Sequence, residues 1–389
     1  MAGEAQSMKR LLLASVMGGV MSVTLGACED DRQDTAGNEA SSMEEADMAM
    51  QTTDETGRDN GADDAVSAYE TVGSIEIYDD RALALIPENA GIEKLTGDDF
   101  SWSEGPVWIS EGDYLLFSDV PENVIYKWSE QGGLETFLQP SGYDGPQTDI
   151  FRESGTNGLI RDDEPGFILM GDHGNRSITR LNLETKEKTS VVAYYDDKKF
   201  SSPNDLVLAS SGAIYFTDPP YGLQGGDDSP AKEQEINGVY VFAAAPETGD
   251  AYVAVVDGTL SRPNGVILSP DEQTLYVAQS DPAAAKIFSY TLGADGLPTG
   301  RSDFADMTTM VEQGLPGLPD GMAMDAGGNL YATGPGGVHV FAPDGTRLAL
   351  ISTGTAAANV TFGGDGSTLY ITSGSFLARV ELLSTGVSF

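Results

Sequence analysis

The 389-residue chain has few cysteines, histidines and basic residues. Its single cysteine excludes a disulfide framework, and its two histidines exclude a zinc cluster built from histidine and cysteine. Lysine and arginine together number 21 against 61 acidic residues, which gives a formal net charge of -40. Because a chain of this charge repels a phosphate backbone, we expect no nucleic-acid partner.

Glycine and short apolar runs are what the chain does contain in quantity. There are 47 glycines, and 40% of the residues are apolar, which is enough for a substantial core. The apolar residues fall in short runs rich in Val, Ile, Tyr and Phe, separated by turn residues. This pattern predicts an all-β fold with many tight turns.

The N-terminus has the features of an export signal. Lys9 and Arg10 precede an apolar run that ends at the only cysteine, Cys28. This arrangement predicts a signal peptide over residues 1–27. The sequence "LGAC" resembles a bacterial lipoprotein cleavage box, which implies a lipid on Cys28 and a membrane-anchored protein in the periplasm or at the cell surface. A plain signal peptide and a short membrane anchor are the alternatives.

An acidic segment follows the predicted signal. Acids far outnumber bases between Glu29 and Asp64, and aromatic and β-branched residues are scarce there. Such a segment cannot bury enough apolar surface to order itself, so we expect a disordered linker over residues 28–72. The folded domain is then predicted to span residues 73–389.

The rest of the chain repeats one pattern six times. Strand-like cores recur every 40–60 residues or so, and all but the last are clearly followed by a second short β-like run. These cores occupy residues 114–119, 167–172, 213–218, 274–279, 329–334 and 368–373. Six units with about four short strands each predict a six-bladed β-propeller.

Each core is preceded by one oxygen-bearing side chain in a common register. The six ring residues, as we call them, are Glu104, Asn157, Asn204, Asn264, Asp320 and Asn359. Because the first strand of each blade lines the central channel, we expect them to converge on the axis at one face. Carboxylate and amide oxygens are hard ligands, which suit Ca²⁺ or Mg²⁺. A carboxylate beside such a cation can remove a proton from water, and Asp320 is the predicted base.

Several motifs together resemble a known family. The motifs "EGPVW", "SPNDL", "YFTDPPYG", "RPNGV" and "PDGM" resemble those of the gluconolactonase branch of the regucalcin-like (senescence marker protein) superfamily, from about Ile75 onward. The resemblance implies a six-bladed propeller that hydrolyses sugar lactones with one divalent cation, commonly Ca²⁺, with Mg²⁺, Mn²⁺ and Zn²⁺ as alternatives. It further implies Glu104, Asn204, Asn264 and Asp320 as metal ligands, with Asp320 also the base.

Other residues are candidates for substrate contact. His173, in "GDHGNR", is predicted to contact a substrate hydroxyl or relay a proton, with a hydrogen-bonded loop histidine as the alternative. Asn157 is predicted to contact substrate or water. Arg176 is predicted to bind a substrate hydroxyl or carboxylate, or to form a structural ion pair. Tyr221, in "PPYG", is predicted to line the pocket, with packing as the alternative.

Three hypotheses about function remain open at this stage. The first is a monomeric lactonase with a small-molecule substrate. The second keeps the site but acts on organophosphates or other esters, as in diisopropylfluorophosphatase. The third is a non-catalytic propeller whose metal stabilises a binding face. The animal regucalcins have a substrate-contacting Arg where this chain has Ser202, so their substrate contacts do not transfer. The loop over residues 223–235 is a predicted lid.

Overall fold

The computed structural model describes residues 69–245 and 248–387. The predicted signal peptide, Cys28 and most of the predicted linker lie outside these residues. The described chain forms antiparallel sheets arranged as the six blades of a propeller, as the repeat predicts. In this part of the chain, no helix has the length and apolar character needed to span a membrane.

The blades form because their central strands are apolar on both faces. The strand Tyr114–Asp119 is buried at every position but the first, and Thr274–Gln279 shows the same burial. A blade packs between two neighbours, so both faces of its middle strands are covered. Continuous apolar runs are therefore favoured over strict alternation of apolar and polar residues.

Each blade is an antiparallel sheet of four strands, and the blades are numbered in the order in which they occur along the chain. From the innermost strand outward, blade 1 consists of Ser103–Ile109, Tyr114–Asp119, Val124–Ser129 and Gly133–Leu138, and blade 2 consists of Thr156–Arg161, Phe167–Asp172, Ser177–Asn182 and Lys188–Val192. Blade 3 consists of Leu206–Leu208, Ile214–Asp218, Gly238–Ala244 and Ala251–Asp257, and blade 4 consists of Pro263–Leu268, Thr274–Gln279, Lys286–Leu292 and Pro298–Asp306. Blade 5 consists of Met322–Met324, Leu330–Gly334, Gly337–Phe341 and Arg347–Ser352, and the first three strands of blade 6 are Asn359–Gly363, Thr368–Ser373 and Phe376–Glu381.

The N-terminal part of the described chain completes the last two blades. Ile92–Lys94 is the fourth strand of blade 6, and Glu70–Val72 pairs with its outer side. Ser74–Ile77 pairs with the outermost strand of blade 5. The two ends of the domain are thus held in shared sheets, which closes the ring. The strand Glu70–Val72 lies within the last residues of the predicted linker, so regular structure begins a few residues before the predicted start of the domain at residue 73.

Short elements lie in the connections between strands. They are a two-stranded ribbon at Tyr194–Tyr195 and Lys198–Lys199, 3-10 turns at Asp80–Ala84 and Gly226–Asp228, and one short helix at Thr308–Glu312. The apolar core lies between adjacent blades. Between blades 6 and 1, for example, the rings of Trp108 and Tyr370 stack with their centroids 5.3 Å apart.

Candidate functional site

The six ring residues lie at the start of the innermost strands. Glu104, Asn157 and Asn264 are each the second residue of their strand, and Asn359 is the first. Asn204 and Asp320 precede the innermost strands of blades 3 and 5. The predicted common register is therefore present in the structure, and all six side chains belong to the same end of the channel.

Local irregularities in the sheets accompany three of the ring positions. The pairing of inner and second strands shifts register between Glu104 and Val107, and blades 2 and 4 show equivalent shifts beside Asn157 and Asn264. A β-bulge redirects a side chain out of the regular ladder and is frequent next to functional sites. Here the shifts leave Asn157 and Asn264 outside the regular pairing, whereas Glu104 stays paired with Ser118 at the edge of the shift.

Glycines after the ring residues let neighbouring inner strands approach closely. A Cβ on Gly105 would lie 2.0 Å from the carbonyl oxygen of Asn157, and one on Gly265 would lie 2.1 Å from that of Asp320. No side chain fits at those distances. The "Asn-Gly" and "Glu-Gly" pairs are thus points of close backbone contact around the hub of the propeller, where glycine is required.

Two of the ring amides belong to a continuous hydrogen-bond chain, which we call the amide half of the hub. The amide nitrogen of Asn204 donates to Oδ1 of Asn264 at 2.5 Å, and the amide nitrogen of Asn264 donates to Oγ of Ser280 at 2.9 Å. At the other end, Nε2 of His173 lies 3.1 Å from Oδ1 of Asn204. These contacts fix the orientation of both amide groups.

The three buried carboxyl groups at the hub, those of Glu104, Asp320 and Asp205, are what we call the carboxylate half. Glu104 accepts from the backbone N–H of Gly105 at 3.1 Å and, at longer distances, from the indole of Trp102 and the amide of Asn359. Oδ1 of Asp320 is buried and has no hydrogen-bond partner among the described residues. Asp205, by contrast, accepts from the backbone N–H of Leu206 at 2.9 Å. The unsatisfied hydrogen-bonding capacity of the carboxylate half is therefore concentrated at Asp320.

Burial and mutual repulsion disfavour the charged forms of these acids. Burial, and after it the charges of Glu104 and Asp205, raises the pKa of Asp320 well above its ordinary value. Burial and the charge of Asp205 raise the pKa of Glu104 in the same direction. Burial raises the pKa of Asp205 itself to about 7. Three buried carboxyl groups without a basic partner are costly unless a cation balances them.

His173 contacts the ring residue Asn204 from a fully buried position. It is completely buried and does not line the cavity above the hub, so its contacts are with protein groups. Its Nε2 faces Asn204, and its Nδ1 lies 3.5 Å from Oε2 of Glu153. This geometry places His173 as the partner that orients Asn204.

A cavity of about 910 Å³ lies above the hub. Its lining includes the ring residues Glu104, Asn157, Asn204, Asn264 and Asp320. Oδ1 of Asn157 is buried and is another oxygen without a hydrogen-bond partner in the described chain. The carboxylates and amides of the hub thus form the floor of an open chamber that can admit a small molecule.

Two other predicted substrate contacts have different outcomes. Tyr221 lines the cavity, and burial together with the nearby charge of Asp320 raises the pKa of its hydroxyl, so the hydroxyl keeps its proton. Arg176 does not line the cavity. Its Nε donates to the carbonyl of Phe200 at 2.7 Å, and its Nη1 lies 3.3 Å from Glu233. The structure therefore gives Arg176 the structural ion pair that was its alternative.

Several residues of the site have weak sequence signals. Asp205 directly follows a ring residue in "SPNDL", and Ser280 directly follows the core strand of blade 4. Their position in the repeat is the only signal that could have identified them. Glu153 lies in the connection between blades 1 and 2, outside the repeated pattern. The predicted lid contributes one residue to the cavity lining, Asp227, which forms an ion pair with Arg262.

The hub fits a hard divalent cation by its chemistry. Two carboxylates and two oriented amides form an all-oxygen donor set, in which one of the carboxylates, Asp320, has a buried oxygen without a partner in the described chain. No group of three or more His, Cys, Asp or Glu side chains in residues 69–245 and 248–387 is arranged to bind a metal without other ligands.

The fold and the hub together define a class of protein, namely six-bladed propellers with an oxygen-lined polar site at one end of the central channel. Within that class, residues 102–375 match the SMP-30/Gluconolactonase/LRE-like region. The chain belongs to this family.

Individual relatives agree with the family assignment. A gluconolactonase from Zymomonas mobilis is 43% identical over 320 residues, which cover 81% of this chain and 88% of that protein. A pentonolactonase from Haloferax volcanii is 30% identical over 278 residues, covering 69% of this chain and 80% of that one. The solved structure of a gluconolactonase from Xanthomonas campestris is similar with a TM-score of 0.67 and 30% identity, covering 81% of this chain and 98% of that chain.

Proposed function

We propose that this protein is a lactonase that hydrolyses sugar-type lactones to hydroxy acids. Two relatives of known name, a gluconolactonase and a pentonolactonase, act on lactones of this kind and share most of their length with this chain. The observation that carries the proposal is the under-satisfied carboxylate half of the hub, which forms part of the floor of an open cavity. A purely structural hub would not leave a buried carboxylate oxygen of Asp320 without a partner.

We propose further that Glu104, Asn204, Asn264 and Asp320 hold one divalent cation, with Ca²⁺ favoured because every donor is a hard oxygen. When bound, the cation would supply Lewis-acid polarisation of the lactone carbonyl and balance the buried charge. The protein orients the two amides in advance through His173 and Ser280. The carboxylates would find their partner in the cation itself when it is bound.

The residues of the chain then divide the remaining tasks. Asp320 removes a proton from the attacking water, since it lines the cavity and has a buried carboxylate oxygen that no described residue engages. The water oxygen bonds to the carbonyl carbon, the bond between that carbon and the ring oxygen breaks, and the ring oxygen leaves as a hydroxyl after taking the proton that Asp320 removed from the water. Tyr221 and Asn157 can form hydrogen bonds with substrate hydroxyls from the cavity wall.

The direct test is hydrolysis of glucono-δ-lactone followed with a pH indicator, because each turnover releases an acid. We expect turnover above the spontaneous rate, complete loss after chelation, and recovery on adding back Ca²⁺. A metal-replete protein with no turnover above the spontaneous rate would contradict the proposal and favour a non-catalytic binding propeller. A parallel assay with a phosphotriester tests the second hydrolase hypothesis.

Export and lipid anchoring at Cys28 are also proposals. The support is the position of the only cysteine directly after a signal-like apolar run. Expressed in a bacterium that processes lipoproteins, the protein should fractionate with membranes, and Cys28→Ser should move it to the soluble fraction. An unchanged distribution in the variant would count against the lipid.

A further inference from the structure

The cavity wall above the hub is divided into two chemically different arcs. One arc comes from the connections and loops of blades 2, 3 and 4, and we call it the charged wall. It consists of Arg152, Glu153, Asp227, Arg262 and Asp281. Among the described residues that line this cavity, every charged one apart from the two ring carboxylates belongs to this arc.

The opposite arc comes from blades 5, 6 and 1, and we call it the apolar wall. It consists of Trp102, Val311, Leu318, Ala356 and Ala357. Val311 comes from the short helix Thr308–Glu312 and Leu318 from the connection that leads to Asp320. The apolar wall therefore stands beside the carboxylate that we propose as the base.

The charged wall is held together by its own ion pairs. Arg262 Nη2 lies 2.5 Å from Asp227 Oδ2, and Arg152 Nη2 lies 2.6 Å from Glu153 Oε1. Arg152 and Asp227 are exposed, so this wall remains hydrated and offers both donors and acceptors. A polyhydroxylated face of a substrate would find partners on this side.

The apolar wall cannot offer such partners. The side chains of Val311, Leu318 and the two alanines contain no hydrogen-bonding atom. The indole N–H of Trp102 is already directed at Oε1 of Glu104 at 3.3 Å, and the side chain is exposed enough to contact a ligand. A substrate hydroxyl placed against this surface would lose water without gaining a partner, which is unfavourable.

The size of the cavity also indicates a ligand larger than a simple sugar lactone. At about 910 Å³ it lies near the upper end of the roughly 300–1,000 Å³ of pockets that bury drug-sized ligands. A simple hexonolactone is much smaller than such ligands and carries hydroxyls around its ring. It would leave the apolar wall uncovered.

We infer that the cavity takes lactones that carry an apolar substituent, alkyl or aryl, on the ring carbon bonded to the ring oxygen. The carbonyl would lie over the hub, the polar edge of the ring would face the charged wall, and the substituent would cover Val311 and Leu318. This inference rests on the proposed lactonase function and extends it to a substrate class beyond the free sugar lactones.

The test is a chain-length series with the full, Ca²⁺-loaded protein. kcat/KM is measured for glucono-δ-lactone and for γ-lactones with 4-alkyl groups of increasing length. Each buried methylene should raise kcat/KM about fourfold until the apolar wall is covered. A series that stays flat while glucono-δ-lactone is hydrolysed would overturn the inference and leave the proposed function intact. No turnover of any lactone would overturn both.

A pair of variants locates the effect on the wall. Leu318→Asp should lower the ratio of kcat/KM for the longest alkyl lactone to that for glucono-δ-lactone by about tenfold or more. Leu315→Asp is the matched control, since Leu315 is 41% exposed, lies in the same connection and does not line the cavity. It should leave the ratio unchanged, and an equal fall in both variants would contradict the assignment.

A binding measurement covers the possibility that an aspartate in the wall disturbs folding. Leu318→Ala removes apolar area without adding a charge. Inhibition by 3-alkylcyclopentanones, which replace the ring oxygen by a methylene and so cannot be opened by water, should tighten with chain length in the wild type and less steeply in Leu318→Ala. Inhibition constants independent of chain length in the wild type would overturn the inference.

Discussion

The two halves of the hub differ in how the protein satisfies them. In the amide half, His173, Asn204, Asn264 and Ser280 form one hydrogen-bond chain with distances between 2.5 and 3.1 Å. In the carboxylate half, Glu104 has one N–H contact at 3.1 Å and two longer ones, and Oδ1 of Asp320 has no partner in the described structure.

This difference shows where the protein needs an external partner. Oriented amides are stable in place whether or not a ligand is present, because their hydrogen bonds are made within the chain. Buried carboxylates that repel one another stay charged only if a cation joins them. The amide half is thus preorganised for a ligand, and the carboxylate half supplies the negative charge that attracts a divalent ion.

The largest expected effect is in the carboxylate half. Asp320→Asn should lower kcat/KM for glucono-δ-lactone by roughly 10³-fold, because the amide cannot accept the proton from water. Initial rates with a pH indicator measure it. Asp303→Asn, on an exposed outer strand and paired with Lys286, is the control and should stay within twofold of wild type. A loss of less than tenfold for Asp320→Asn would remove this residue from the role of base.

A second effect concerns stability without metal. Glu104→Gln removes one of the mutually repelling charges, so the metal-free variant should be more stable to urea than the metal-free wild type at pH 8 by about 1–2 kcal/mol. The order should reverse with saturating Ca²⁺, because the variant has lost a ligand. Asn204→Asp, which adds a charge to the hub, should destabilise the metal-free protein. Equal shifts in the same direction for both variants would show that the charge imbalance is not what limits stability.

The smallest expected effect is in the amide half. His173→Ala should weaken cation binding about tenfold, since Asn204 loses the group that orients it, and calorimetric titration measures the affinity. His173→Gln keeps an N–H donor and should recover part of the loss. If His173→Ala instead lowered kcat with unchanged cation affinity, the predicted proton-relay role would replace the positioning role.

The ring could be predicted from the sequence because a propeller repeats one geometry. The interval between each polar residue and its core strand is nearly constant, so six residues including Glu104 and Asn359 could be placed at one end of the channel without coordinates. The core strands were predicted to within a residue at their starts; the third begins at Ile214 rather than residue 213.

The division of the hub could not be predicted from the sequence. Whether Asn204 contacts a histidine or a carboxylate depends on which loops fold back over the ring, and loops do not follow the repeat. Glu153 lies in a connection without any periodic signal. Arg176 adopts a left-handed backbone conformation, with a φ of 56°, and its side chain donates to the carbonyl of Phe200 and does not line the cavity. The walls combine both kinds of residue: Arg262 and Leu318 each lie two positions before a ring residue and follow the repeat, whereas Asp227 and Val311 lie in connections that do not.

Binding of a divalent cation to the metal-free protein, measured by isothermal titration with Ca²⁺, tests the central claim most directly. The two halves of the hub predict one ion per chain, bound with an affinity that falls sharply in both Glu104→Gln and Asp320→Asn and is unchanged in Asp303→Asn. Absence of binding, or binding that survives both hub substitutions, would contradict the account.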